Sequence, residues 1–261
     1  MRIRKGVIRI RDRKRSIAYL ILLLVLILAL NYPFLDKKVE DVFGDYNKET
    51  IFVDRVIDGD TIVTGNRSIR LLGINTPERG DFLYQEAKSF LEQETLRKNI
   101  SLEFMGERYD KYGRTLAYVF SNEDSNETGA STNNEAKKNI NIKAVENGFA
   151  NYYFYDGKDK YSGKLLDAWD TCMNKKVNLC EPSTNVCSSC IQIESNTIVN
   201  SCAFDCNIAN WSIKGEGREK FIFDDESFPT NTEIGFDLNL ENSGGSLFLR
   251  DEEGELIEWR K

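Results

Sequence analysis

Three polar clusters carry residue types that can do chemistry together. They are Asp58-Gly59-Asp60-Thr61, then Arg70-Leu71-Leu72-Gly73-Ile74-Asn75-Thr76-Pro77-Glu78, then Asp110-Lys111-Tyr112-Gly113-Arg114. Taken singly, each has an ordinary reading as a turn, a solvated arginine or a hairpin loop. Taken together, they hold the parts needed to cleave a phosphodiester. Carboxylates joined by a backbone or amide oxygen can hold one hard cation, and calcium suits such an irregular oxygen cage. Two guanidiniums can clamp a phosphate and offset the charge that grows in the transition state. One further carboxylate can orient or deprotonate the attacking water. A metal would add Lewis-acid polarisation of the phosphoryl oxygen.

The absence of one residue type narrows the chemistry further. The 261 residues include no histidine, so no His general base, no His-dependent triad and no imidazole metal ligand can operate. Net charge is −7, but it is unevenly placed: residues 1–15 carry eight Lys/Arg and one Asp, whereas residues 181–261 carry six basic and 16 acidic groups. The near-neutral middle of the chain can meet a polyanion through local clusters. The acidic C-terminal stretch is a poor nucleic-acid surface.

The basic N-terminus runs into an apolar stretch over 16–35, Ser16-Ile17-Ala18-Tyr19-Leu20 through Leu35. Apolar all round, it reads as one transmembrane helix, a signal anchor without a convincing small-x-small cleavage site; the alternative is a cleaved signal peptide, which would make the protein secreted. The positive-inside rule then keeps residues 1–15 in the cytoplasm and places the rest outside the cell. Residues 36–49 are charged and weakly patterned, as in a tether.

From Thr50 the pattern changes to β-branched runs. Residues 51–57, 61–64 and 68–74 read as three consecutive antiparallel strands, with further strands near 100–105 and 114–120. Leu83, Ala87, Phe90 and Leu91 form one helical stripe, and Tyr161, Leu165, Ala168, Trp169 and Cys172 form another. This order predicts a small Greek-key barrel with helices packed outside it. Residues 121–139 are polar and low in apolar content, so they read as a disordered surface insertion.

The three clusters, in this order and spacing, resemble the staphylococcal nuclease (thermonuclease) family over residues 50–180. The resemblance implies a five-stranded OB-fold barrel with flanking helices and a calcium-dependent phosphodiesterase acting on DNA and RNA. It makes Asp60 a calcium ligand, Thr76 a backbone-carbonyl ligand and Asp58 a supporting carboxylate. Arg70 and Arg114 would grip the scissile phosphate, and Glu78 would activate or position water. The sequence departs from the family at Asn75, where a second calcium-ligating Asp is common. An amide oxygen still ligates but removes one negative charge, so lower calcium affinity is expected, and Asn75→Asp should raise it.

Cys172, Cys180, Cys187, Cys190, Cys202 and Cys206 all follow the expected anchor. Export favours disulfides over a four-thiolate zinc site, with the connectivity left open. Cys172 and Cys180 can pair only if the helix ends between them, because eight helical steps would separate them by about 12 Å. Asn178 is a plausible stop.

Residues 186–261 then alternate in short runs: 191–193, 211–213, 220–223, 236–240, 247–249 and 256–259. They predict a small all-β sandwich. Cys206 to Lys214 and Asn242 to Asp251 resemble the lamin-tail domain, an immunoglobulin-like module, which implies binding or surface attachment through an unknown partner.

The whole reads as a β-rich α+β protein: a membrane-anchored, outward-facing nuclease with an accessory sandwich. Its rivals are a nuclease fold reduced to nucleic-acid binding and a cell-surface attachment protein.

Overall fold

A computed structural model of the chain describes residues 17, 19–23, 47–122, 138–154, 157–217, 219–224, 227–238 and 245–261. Most of the expected anchor, the tether to residue 46 and positions 123–137 of the insertion lie outside these residues. Ile17 and residues 19–23 are helical and exposed. Among the described residues no helix is long and apolar enough to cross a membrane.

The first expected strand divides into β1 (Lys48–Phe52) and β2 (Arg55–Asp58). They are followed by β3 (Thr61–Thr64) and β4 (Arg67–Leu71). Further on come β6 (Asn99–Glu103) and β7 (Thr115–Ser121), after a short β5 (Ile74–Asn75). The main sheet runs β1-β6-β7-β4-β3-β2. Its two edge strands are therefore adjacent in sequence, so the bend at Val53–Asp54 closes the sheet on itself. Val53 exchanges hydrogen bonds with the Arg97–Lys98 backbone on the β6 side, while the Asp54 N–H donates to Val63 O on the other. Closure of this kind leaves little exposed edge and makes an OB-type barrel.

Three helices cover the barrel. α1 (Tyr84–Thr95) buries Tyr84, Ala87, Phe90 and Leu91. Leu83, expected inside this stripe, sits at the N-cap with φ 62°, and Tyr84 takes its place in the core. α2 (Ile140–Glu146) escaped the sequence pattern because seven residues give barely two turns; Asn139 caps it by accepting from Ile142 N at 3.1 Å. α3 (Ser162–Lys175) buries Leu165, Ala168, Trp169 and Cys172, as its stripe predicts, while Tyr161 caps it. The ends of the insertion meet, since Ser121 N donates to Lys138 O at 3.0 Å.

α3 stops at Lys175, and both Lys176 and Asn178 take left-handed φ values of 54° and 55°. That reversal brings Cys172 and Cys180 together in a disulfide, with Cα atoms 5.8 Å apart. Cys187–Cys206 and Cys190–Cys202 are the other two, and no cysteine is free.

Beyond residue 186 two antiparallel sheets share one apolar cluster built around Trp211, Phe223, Phe228 and Leu249. β9 (Ile191–Glu194) and β10 (Thr197–Asn200) form a hairpin joined by β13 (Glu233–Gly235). β11 (Ser212–Lys214), β12 (Lys220–Ile222), β14 (Leu247–Arg250) and β15 (Leu256–Arg260) form the second sheet. Of the strand expected at 236–240, residues 236–238 are not in a strand, since β13 ends at Gly235, and they contribute Phe236 and Leu238 to the core; residues 239 and 240 lie outside the described residues.

Residues 49–261 pack as one unit. Phe248 belongs to the same buried cluster as the barrel and α3, and it meets Trp169 edge-on at 5.2 Å. β8 (Asn151–Tyr152) pairs with β5 in a two-stranded sheet, and Tyr152 donates to Ser246 Oγ at 2.7 Å.

Candidate active site

Register places the first two clusters side by side. β3 pairs with β4 so that Thr61 faces Arg70, and Leu71 N donates to Asp60 O at 2.8 Å. Asp58 ends β2 at an irregularity in its pairing with β3, and its Oδ1 accepts from Asp60 N at 3.2 Å. Gly59 separates the two carboxylates for a steric reason. A Cβ there would come within 2.9 Å of both Thr76 and Ala87.

Asp60 is buried and both of its oxygens accept hydrogen bonds. Oδ1 accepts from the Thr61 hydroxyl at 3.0 Å. Oδ2 accepts from Thr76 Oγ1 at 3.1 Å and Thr76 N at 3.3 Å, and lies 3.0 Å from the Arg70 guanidinium. The guanidinium is also held by backbone, donating to Leu71 O at 2.5 Å and Ile74 O at 2.8 Å. Asn75 Oδ1 completes the cluster, 3.5 Å from the same Arg70 nitrogen. Taking a buried pair like Asp60–Arg70 apart from one side costs about 3–5 kcal/mol, because the other charge is stranded.

Electrostatics separate the two aspartates. Burial works to raise the Asp60 pKa, but Arg70 and the hydrogen bonds from Thr76 and Thr61 outweigh it and hold the carboxyl below its usual range. Asp58 goes the other way: burial first, then the charge on Asp60, pushes it up. Two carboxylates in mutual repulsion, with the Asn75 amide oxygen in the same cluster, offer an all-oxygen donor set. That chemistry fits a hard divalent cation.

Glu78 lies two residues beyond Thr76 at the turn leading to α1. Asp81 N donates to Glu78 O at 2.9 Å, and Asp81 Oδ2 accepts from Glu78 N at 3.2 Å, so the turn is tied at both ends. Arg114 sits in the third cluster. Its Nε donates to Asp110 Oδ2 at 2.7 Å, and the same carboxylate accepts from the backbone of Tyr112 and Arg114 at 2.9 Å. Those contacts overcome partial burial and lower the Asp110 pKa. β4 and β7 run parallel with Arg70 opposite Leu116. Arg114 comes immediately before β7, two residues ahead of the Leu116 that lies opposite Arg70.

Asp58, Asp60, Arg70, Asn75 and Thr76 thus share one hydrogen-bonded cluster, with Glu78 on the adjoining turn and Arg114 in the loop just before β7. Sequence reasoning missed two further members. Asn75 Nδ2 donates to Gly217 O at 2.8 Å and to Glu216 O at 3.3 Å. These are backbone atoms over 140 positions away, and no side-chain pattern advertises them.

A closed barrel with this carboxylate–arginine cluster at the ends of its strands defines an OB-fold nuclease. Residues 68–181 match the staphylococcal nuclease homologue model. The chain is 31% identical over 147 residues to a thermonuclease of Staphylococcus intermedius, covering 52% of this chain and 79% of that protein. It is 30% identical over 143 residues to a thermonuclease of Staphylococcus hyicus, covering 51% and 76%. An uncharacterized endonuclease of Haemophilus influenzae is 34% identical over 108 residues, covering 40% and 52%. The chain belongs to the staphylococcal nuclease family and is a nuclease, a hydrolase acting on nucleic acid.

Proposed function

We propose that this nuclease hydrolyses phosphodiester bonds of DNA or RNA with the help of one calcium ion. The observation that carries the reading is the buried Asp60, fixed by Arg70, Thr61 and Thr76 beside the Asn75 amide oxygen. Asp60, Asn75 and the Thr76 carbonyl would hold the ion, with Asp58 as a supporting carboxylate. Bound there, calcium would polarise a phosphoryl oxygen and add positive charge where negative charge develops.

The protein side chains do the rest. Arg70 and Arg114 bind the phosphate, and both are oriented beforehand, Arg70 by backbone carbonyls and Arg114 by Asp110. A clamp that needs no reorganisation acts at full strength as the charge grows. Glu78 orients the attacking water and accepts its proton on the carboxylate.

The test is direct. The fragment from about Asp45 is incubated with DNA and with RNA, in calcium and then in chelator. Calcium-dependent cleavage is expected. DNA that is retarded on a gel but left intact would favour a binding-only protein.

We further propose two domains, 50–180 and 186–261, the second akin to the lamin tail. Residues 16–35 would anchor them at the membrane, with residues 36–261 outside the cell. The support is the charge asymmetry and the continuous apolar run. External protease acting on intact cells should remove the nuclease; a fully protected chain overturns the topology.

A further inference from the structure

The C-terminal sheets do more than sit beside the barrel; they hold two of the residues assigned to its chemistry. The first contact is at Asn75, whose amide nitrogen donates to the carbonyls of Glu216 and Gly217. Those two acceptors fix which way the side chain faces. With Nδ2 turned toward the carbonyls, Oδ1 is left toward Arg70 and Asp60, where a cation ligand is required. The second contact is at the Glu78 turn. Lys220 on β12 pairs with Asp81 at 2.6 Å, and Asp81 in turn accepts from Glu78 N.

Several contacts fasten this arrangement. Both strands of the small β5–β8 sheet are gripped: Asn75 on one, and on the other Tyr152, which donates to Ser246 and accepts from Trp259 Nε1 at 3.0 Å. Phe154 N donates to Glu216 Oε2 at 3.2 Å, anchoring the side chain whose backbone faces Asn75. At the far edge the turn before β15 comes so close to Phe82 that a Cβ on Gly254 would lie 2.5 Å from it. The docking still leaves a cleft of about 410 Å³ beside the site, bordered by Thr76 and Asp81 from the barrel side and by Lys214 and Arg250 from the sheets.

We propose that the C-terminal module is a wall of the catalytic site, and that Asn75 is the positioning residue through which it is coupled to the cation site. The amide at this position is then an adaptation to the docked module. A carboxylate would set a negative charge against two carbonyl oxygens and remove the donor that both receive from Asn75. The charge count that predicts tighter calcium for Asn75→Asp is outweighed by that repulsion. The inference rests on the calcium reading, and its first readout needs no calcium.

The experiment compares the full chain with Asn75→Asp and Asn75→Ala. In chelator, backbone amide exchange is followed by mass spectrometry at Phe154 and in the segment around Glu216. Asn75→Asp should accelerate exchange at both by about 10-fold or more, and Asn75→Ala less, since it removes donors without adding charge. If Asn75→Asp does not fold, the Ala variant decides: unchanged exchange at both segments overturns the coupling. Calcium titration calorimetry is the second arm, with Asp60→Asn as the site-negative reference. Equal or weaker calcium binding by Asn75→Asp supports the proposal, because a merely structural contact would let the added charge tighten the site. Tightening of about 10-fold with unaltered exchange overturns it. Should the parent bind no calcium, the calcium reading falls while the exchange arm still decides the coupling.

Discussion

Asn75 and Gly217 are joined by a 2.8 Å hydrogen bond, so a residue in the barrel's polar cluster is tied to a strand connection 142 positions further along the chain. The bond ties the barrel's polar cluster to the C-terminal sheets. Substitutions in the cluster therefore have two kinds of effect, on chemistry and on how the molecule holds together. The two arginines show how these can be told apart.

Arg70→Ala and Arg114→Ala should each lower turnover by roughly 10²-fold or more, because each removes a donor that strengthens with transition-state charge. Their stabilities should differ. Arg70 is buried and neutralises a buried Asp60, so its loss should also cost about 3–5 kcal/mol of folding free energy. Arg114 is partly exposed and pairs with a partly exposed Asp110, so its loss should cost about 1 kcal/mol or less. Thermal unfolding and single-turnover rates on both variants check this. Equal melting temperatures would contradict the placement of Arg70.

Glu78→Gln should separate water activation from metal binding. The substitution keeps the side-chain shape, and the turn is held by the Glu78 backbone and Asp81, which it leaves alone. A fall of about 10²-fold in rate is expected with calcium affinity close to that of the parent. Calorimetry beside the rate measurement decides it: a parallel loss of affinity would make Glu78 a ligand.

The readings from sequence succeed and fail for physical reasons. That Asp60, Arg70 and Thr76 come together is legible because short motifs at strand ends encode the turns that place them. The stripe at Leu165, Ala168, Trp169 and Cys172 is legible because helical burial has a period. α2 is not, since seven residues carry too little of that period. β10 escaped because Thr197–Asn200 is short and polar at both ends. The role of Glu216 and Gly217 was invisible because carbonyl oxygens are common to every residue type; only the fold brings these two to Asn75.

The disulfides should matter most to the C-terminal module. Cys187–Cys206 and Cys190–Cys202 both close loops inside its small apolar cluster, whereas Cys172–Cys180 only pins the end of α3. Replacing both cysteines of Cys190–Cys202 by Ala should cost about 2–4 kcal/mol. Calorimetry on the parent and this variant tests the loss, and peptide mapping of unreduced protein should return these three pairs. Four free thiols or a stoichiometric metal would contradict them.

Asp110 gives a pH dependence with a definite sign. Its pKa is lowered from 3.8: partial burial opposes the charge, but hydrogen bonds from the Arg114 and Tyr112 backbone and the Arg114 side chain prevail. A carboxyl whose folded value lies below its unfolded value contributes stability that is fully present above the unfolded value. That contribution is lost as pH falls through the folded one. The loop around Arg114 should therefore be held firmly down to about pH 4 and loosen below it. Asp110→Asn keeps an acceptor but loses the charge, and should cost about 1 kcal/mol at neutral pH, with the difference from the parent shrinking below pH 4. It should also slow turnover, since Arg114 loses the partner that orients it ahead of the phosphate. Unfolding free energies of both proteins from pH 3 to 7 test the assignment. A difference that grows toward low pH would have the wrong sign and would remove Asp110 as the support of Arg114.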